Sequence, residues 1–251
     1  MKKFIANHLI SLYSLLNICL VLAITVIYSL DEVPQQWTPA FFAIWMTYLI
    51  NGKIGLKKLL YKMAFNKTDI KWYILAFTIP FVVCGISFLI ISFIKHQGFL
   101  FPTLHHSLGM YSLYLLLIIL GSIGEEIGWR GFMLPILLRK HSYLISSVLI
   151  GVFWGIWHLR FQAGIFVFFI YILLTTELSI IISWLYLKTK GNIVAAIIIH
   201  SSFNLCALLL FEEIVVNISQ NIKLIEMLYL SLVGLFMPFC IYIVIKMRKY
   251  K

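Results

Sequence analysis

Apolar residues dominate the chain in long unbroken runs, and polar residues collect in the gaps between them. Eight runs stand out, roughly at 8–29, 38–52, 72–94, 109–137, 143–159, 163–187, 191–211 and 225–247. Most approach or exceed the ~20 residues that cross a hydrocarbon core about 30 Å thick. The pattern therefore predicts an all-α, polytopic transmembrane helix bundle of about eight spans. The runs at 38–52 and 143–159 are short, and the long run at 109–137 is expected to tilt or break near Pro135. Lys2 and Lys3 precede the first run, which is long and lacks a following small-x-small site, so a retained helix is expected rather than a cleaved signal. No repeat or low-complexity tract interrupts the pattern, and 1–251 reads as a single transmembrane domain.

Charge sharpens this picture. The net charge of +11 could suit nucleic acid, but the basic residues punctuate the gaps and form no single exposed stripe. With 62% hydrophobic and only 12% charged residues, the partners expected are membrane lipids and a membrane-associated peptide or protein. With the amino terminus placed inside, sixteen lysines and arginines fall in inner segments and only Lys95, Arg160 and Lys223 in outer ones. That asymmetry predicts a multi-pass protein of the cell membrane with both termini cytoplasmic. The inner gap from Asn51 to Lys71 carries Leu56, Leu59, Leu60 and Met63 at helical spacing, with Lys57, Lys58 and Lys62 on other faces. It reads as an interfacial helix or as an ordinary cytoplasmic loop. Cys19, Cys84, Cys206 and Cys240 each lie inside an apolar run without a CxxC pair, and read as core residues.

Ionisable side chains inside membrane helices are costly and usually face a bundle interior or a cavity. Here they are Glu125, Glu126, Arg130, His158, Glu177 and His200, joined by the polar Asn204. Gly121, Gly124, Gly128 and Gly131 share one helix face, a stripe that admits a neighbouring helix closely. Glu126 and Arg130 stand at i and i+4, acid first, the favourable order for an ion pair. Glu126 is then occupied, and Glu125 remains for acid–base chemistry. Trp154 and His158 share a face of the fifth run, His200 and Asn204 a face of the seventh. At about 1.5 Å per residue, Glu125, His158 and His200 all fall near mid-bilayer. Such a set suits hydrolysis: a carboxylate takes a proton from water, and His or Asn donors hold the oxyanion. Glu125, His158 and His200 could equally hold Zn2+ with water in an open position, although no HExxH motif is present. Asparagine is a poor zinc ligand, which favours an oxyanion role for Asn204. Glu177 lies at similar depth and is expected to line a cavity or to bond a neighbouring helix.

The order Glu125-Glu126-x-x-x-Arg130, Trp154-x-x-x-His158, His200-x-x-x-Asn204 on successive helices resembles the CAAX protease and bacteriocin-processing family, also called the Abi family. The likeness covers about 115–210, the extent of that family's conserved catalytic core. It implies a prenyl-endopeptidase-like intramembrane peptidase with Glu125 as the catalytic glutamate. Glu126 and Arg130 would be its structural support, and His158, His200 and Asn204 the rest of the site. It also implies a role in bacteriocin processing or self-immunity, and leaves open a metalloprotease or a metal-independent glutamate hydrolase. The family commonly has Phe where Trp154 stands, a conservative aromatic change.

Two other readings fit parts of the pattern. A catalytically silent membrane scaffold or immunity protein would keep the helices, but loss of function would strike the motif residues first. A small proton-coupled transporter also buries acids and histidines, yet it predicts repeat symmetry that the chain lacks. His8, His96, His105, His106 and His141 lie near span edges and need no function to explain them.

Overall fold

A computed structural model describes residues 8–28, 33–96, 105–161, 163–216 and 222–247. Every regular element among them is helical. The eight apolar runs become eight helices in order: α1 (Leu9–Tyr28), α2 (Thr38–Tyr61), α3 (Ile70–His96), α4 (Leu108–Glu126), α5 (Tyr143–Trp157), α6 (Ile165–Lys188), α7 (Val194–Val216) and α8 (Ile222–Met247). Single turns at Val33–Gln36 and Lys67–Asp69 lead into α2 and α3. Serine side chains start two of the helices by accepting a free first-turn amide: Ser107 from Met110, and Ser142 from Ile145.

The stretches Lys67–Ile94, Leu108–Leu137, Ile165–Lys188, Val194–Glu212 and Ile222–Met247 are long and apolar enough to cross a membrane. α1 and α5 are apolar but shorter. The bundle turns large apolar side chains outward, among them Phe77 and Phe93 on α3, Phe166 and Phe169 on α6, and Ile241 and Ile245 on α8. Such a surface is a liability in water and the natural one in lipid. The chain is a multi-pass helical membrane protein. Cys84, Cys206 and Cys240 are buried free thiols, as expected, whereas Cys19 faces outward. The terminal lysines, Asp31, Glu32 and the loop around Phe101 lie outside the described residues.

Two local departures from regular helix shape the interior. α2 bends at Gly52, whose φ of 62° and ψ of −157° suit glycine alone. Beyond the bend the basic stretch continues as a short helix, with Lys57 and Lys58 exposed and Leu59 packed inward. At its end Lys62 Nζ donates to the Gly131 carbonyl at 2.6 Å, and the Ile193 amide donates to the Lys62 carbonyl at 2.9 Å. Burial, with Arg139 nearby, pushes the Lys62 ammonium down to about 8. The second departure is in the fourth run. It does not break at Pro135: α4 passes through a π-helical stretch, Ile127–Met133, into Leu134–Leu137. Wide turns of this kind are rare and gather at functional sites.

Small residues set the helix spacing. The Gly121–Gly131 stripe receives the turn before α2 and the start of α2: a methyl on Gly124 would sit 2.7 Å from the Gln36 carbonyl oxygen. Gly128 likewise lies against Pro39 and Tyr13. A second close seam lies between α5 and α6. Added carbons on Gly151 or Gly155 would collide with the Thr176 or Ile172 backbone. Thr175 Oγ1 donates to the Gly151 carbonyl at 3.0 Å, and Ser179 Oγ to the Ser147 carbonyl at 2.8 Å. Backbone approach plus interhelical hydrogen bonds is how helices associate where lipid removes the hydrophobic drive.

Candidate active site

α4 carries its two glutamates at the start of the wide turn, and both are buried. Glu126 Oε1 accepts from Arg130 Nη1 at 2.9 Å, the i, i+4 pair read from the sequence. The same oxygen lies 2.8 Å from His200 Nδ1 on α7. Arg130 is fully buried, its guanidinium stacked over the Trp154 ring at 5.0 Å. Arg130 Nε and Nη2 have no hydrogen-bond partner among the described residues. Glu126 therefore supports two neighbours: it neutralises a buried cation and fixes one nitrogen of a histidine.

Glu125 sits on the other side of that histidine. Its Oε2 accepts from Trp154 Nε1 at 2.6 Å, and its Oε1 lies 3.9 Å from His200 Nε2. The imidazole is thus bracketed by two carboxylates, one per ring nitrogen. The Trp154 and His200 rings meet edge to face at 5.0 Å. Trp154 is therefore more than an aromatic wall, because its indole brings a donor to Glu125.

The remaining candidates surround a cavity of about 530 Å³ between α4, α5, α6 and α7. Trp154, His158, His200 and Asn204 line it, with Tyr114, Tyr171 and Phe203 among its apolar walls. His158 is not mid-helix as expected. α5 ends at Trp157, and His158 is its cap residue, followed by Leu159 in the left-handed region at φ 49°. The helix stops inside the bundle and presents His158 to the cavity from its end, with the ring against Tyr171 at 5.5 Å. Glu177 does not line the cavity. It lies toward α8, where its backbone carbonyl accepts from Cys240 Sγ at 3.5 Å. Glu125 is also absent from the cavity wall; Trp154 and His200 stand in front of it.

Glu125 Oε1 and His200 Nε2 stand 3.9 Å apart, somewhat wider than the ~3.4 Å between two ligands of a tetrahedral zinc at about 2.0–2.2 Å. Among the described residues no three His, Cys, Asp or Glu side chains gather closely enough to hold an ion.

Sequence spacing missed the cavity's wide end. His106, set aside as an edge residue, meets Glu212 at 2.6 Å, and both line the cavity with Gln36 and Arg160. His106 lies just before α4 and Glu212 in the last turns of α7, so no periodicity links them. Arg160 carried a signal: it is one of three basic residues on the acid-rich side, two places after His158.

This stretch of the chain also has known relatives. Residues 107–206 match the family described as type II CAAX prenyl endopeptidase Rce1-like. A curated relative, CAAX prenyl protease 2 of Methanococcus maripaludis, is 34% identical over 132 residues, covering 48% of this chain and 46% of that protein. The chain thus spans about half the length of the curated relative it matches. The Rce1-like segment holds all three motifs and every residue of the bracketed histidine, which bears out the resemblance read from the motifs.

Proposed function

We propose that the chain is an intramembrane endopeptidase that hydrolyses peptide bonds in membrane-associated substrates, prenylated or bacteriocin-type peptides among them. The observation that carries this reading is His200, held between Glu126 and Glu125 at the closed end of a largely apolar cavity. Glu126, tied to Arg130, accepts the Nδ1 proton and leaves Nε2 as an acceptor facing Glu125, a tautomer assigned from this hydrogen-bond pattern. The 3.9 Å between Nε2 and Oε1 is too long for a direct bond but lets one water sit about 2.6–3.2 Å from both. Glu125 removes a proton from that water as its oxygen attacks the scissile carbonyl. The same proton then passes to the departing amine, so water is consumed and an acid and an amine are released. Asn204 and His158 line the cavity wall, and in this reading they donate to the oxyanion. The Rce1-like segment and the named relative support the peptide as substrate.

The test is cleavage of a lipidated peptide by purified protein in bilayers. Glu125→Gln and His200→Ala are expected to lose at least ~10²–10⁴-fold in rate, the usual worth of a positioned acid–base group, while inserting and folding normally. Substantial turnover by either variant sinks the assignment.

A further inference from the structure

The cavity has a direction. On α7 its wall is built by His200, Phe203, Asn204, Ala207, Leu208 and Glu212. Counted from His200 these stand at i, i+3, i+4, i+7, i+8 and i+12, one continuous helix face. The face begins at the buried His200 and ends at Glu212, paired with the half-exposed His106. Twelve residues of helix make a shaft about 18 Å long. The segment before α4 and α4 itself line it in the opposite sense, from His106 through Tyr114 to Ile118. The shaft therefore opens where α7 ends and α4 begins.

The lysine-rich segments gather at the other end. Lys62, beyond α2, contacts Gly131 in the wide turn, Tyr186 near the end of α6 and Ile193 before α7. Lys188 stacks on Trp72 at the start of α3 and on Trp184. None of the residues at this end lines the cavity. The lysine-rich end of a membrane protein faces the cytoplasm.

From these two facts we infer that the active-site shaft opens on the non-cytoplasmic face and admits an extended peptide of about five residues from that side. The length follows from about 3.3 Å per extended residue along the shaft. The substrate class is then an exported peptide, or the outer flank of a membrane-anchored one. That identification rests on the peptidase reading; the direction of the shaft does not.

Labelling in cells with a membrane-impermeant maleimide tests the direction without turnover. Ala207→Cys and Leu208→Cys report the shaft, His105→Cys its mouth and Lys140→Cys the opposite end, with the parent chain as background for its own four cysteines. The shaft and mouth cysteines are expected to label equally before and after lysis, and Lys140→Cys only after lysis. Two results overturn the inference: both shaft cysteines reacting only with the Lys140→Cys side, or His105→Cys protected until lysis. Shaft cysteines reached by neither side while a permeant maleimide labels them overturn it too. A companion assay adds peptide outside sealed, oriented proteoliposomes. Cleavage from the His105 face alone is expected, and cleavage only from the Lys140 face refutes the inference. Absence of cleavage from both faces, with labelling as expected, counts against the peptidase reading and leaves the direction standing.

Discussion

Glu126→Gln isolates the buried ion pair. In the wild type one carboxylate oxygen meets both Arg130 Nη1 at 2.9 Å and His200 Nδ1 at 2.8 Å, and the guanidinium is wholly enclosed. The amide keeps the shape and an acceptor but removes the charge. A buried cation left without its partner costs about 3–5 kcal/mol, and Glu125, close by, offsets part of this. For a chain of this size each kcal/mol shifts Tm by about 2–4 °C, so a drop of roughly 6–20 °C is expected. The assay is thermal unfolding in a mild detergent followed by intrinsic tryptophan fluorescence, run beside Glu126→Gln/Arg130→Met. Replacing both members of a buried pair by neutral groups is often close to neutral, so the double variant should recover most of the loss. Cleavage should not recover fully, because His200 Nδ1 then donates to a neutral amide oxygen in place of a carboxylate. If the double variant is no more stable than the single one, the pair is not what holds this interior together.

Three further outcomes follow from the geometry. Trp154→Phe keeps the ring against Arg130 and His200 but removes the donor to Glu125; losing a hydrogen bond to a charged group, worth about 1.5–3 kcal/mol, should lower kcat by about 10–100-fold with yield unchanged. An unaltered kcat would mean that this bond does not hold Glu125 in place. Gly155→Ala should destabilise by about 1–3 kcal/mol, since the new carbon meets the Ile172 Cα at 2.9 Å, whereas Gly234→Ala meets nothing within 4 Å. Equal melting temperatures for the two variants would refute the tight α5–α6 seam. Lys62, with its folded pKa pushed down to about 8, sheds its proton well before an unfolded lysine does near 10.5. The unfolded state then binds more protons between those values, and stability from this group rises with pH there. Relative to Lys62→Met, the wild type should gain Tm from pH 8 to pH 10, and a constant difference over that range would refute the burial of the charge.

What the sequence made legible is what repeats within a helix. Apolar runs located the eight helices, most to within a few residues, while α2 runs on past its bend at Gly52 to Tyr61. The glycine stripe announced a close neighbour, and the i, i+4 spacing announced Glu126 with Arg130. Relations between helices were beyond it. His200 and Glu126 are 74 residues apart, and only the packing of α7 against α4 turns Nδ1 toward that carboxylate. The indole of Trp154 read as an aromatic wall because nothing in its own helix shows that its N–H points at Glu125. Counting residues along α5 sets the distance of His158 from the start of that helix, but not that α5 ends at Trp157 and presents the imidazole from its cap. Glu177 shares the depth of the site but not its azimuth, and depth was all the spacing could supply.

The wide turn at Ile127–Met133 has a consequence for how this chain can change over time. A π-helical turn is in effect one residue inserted into an α-helix, and deleting any one residue there would restore a regular and locally more comfortable rod. Such a deletion leaves both flanking helices on their faces, since the wide turn is what absorbs the extra residue, but it re-aims the residues within the turn, Arg130 and Gly131 among them, which meet Glu126 and Lys62. Local regularity and an assembled interior are alternatives in this stretch. The family tree of such chains should therefore show substitutions at these seven positions far more readily than gaps.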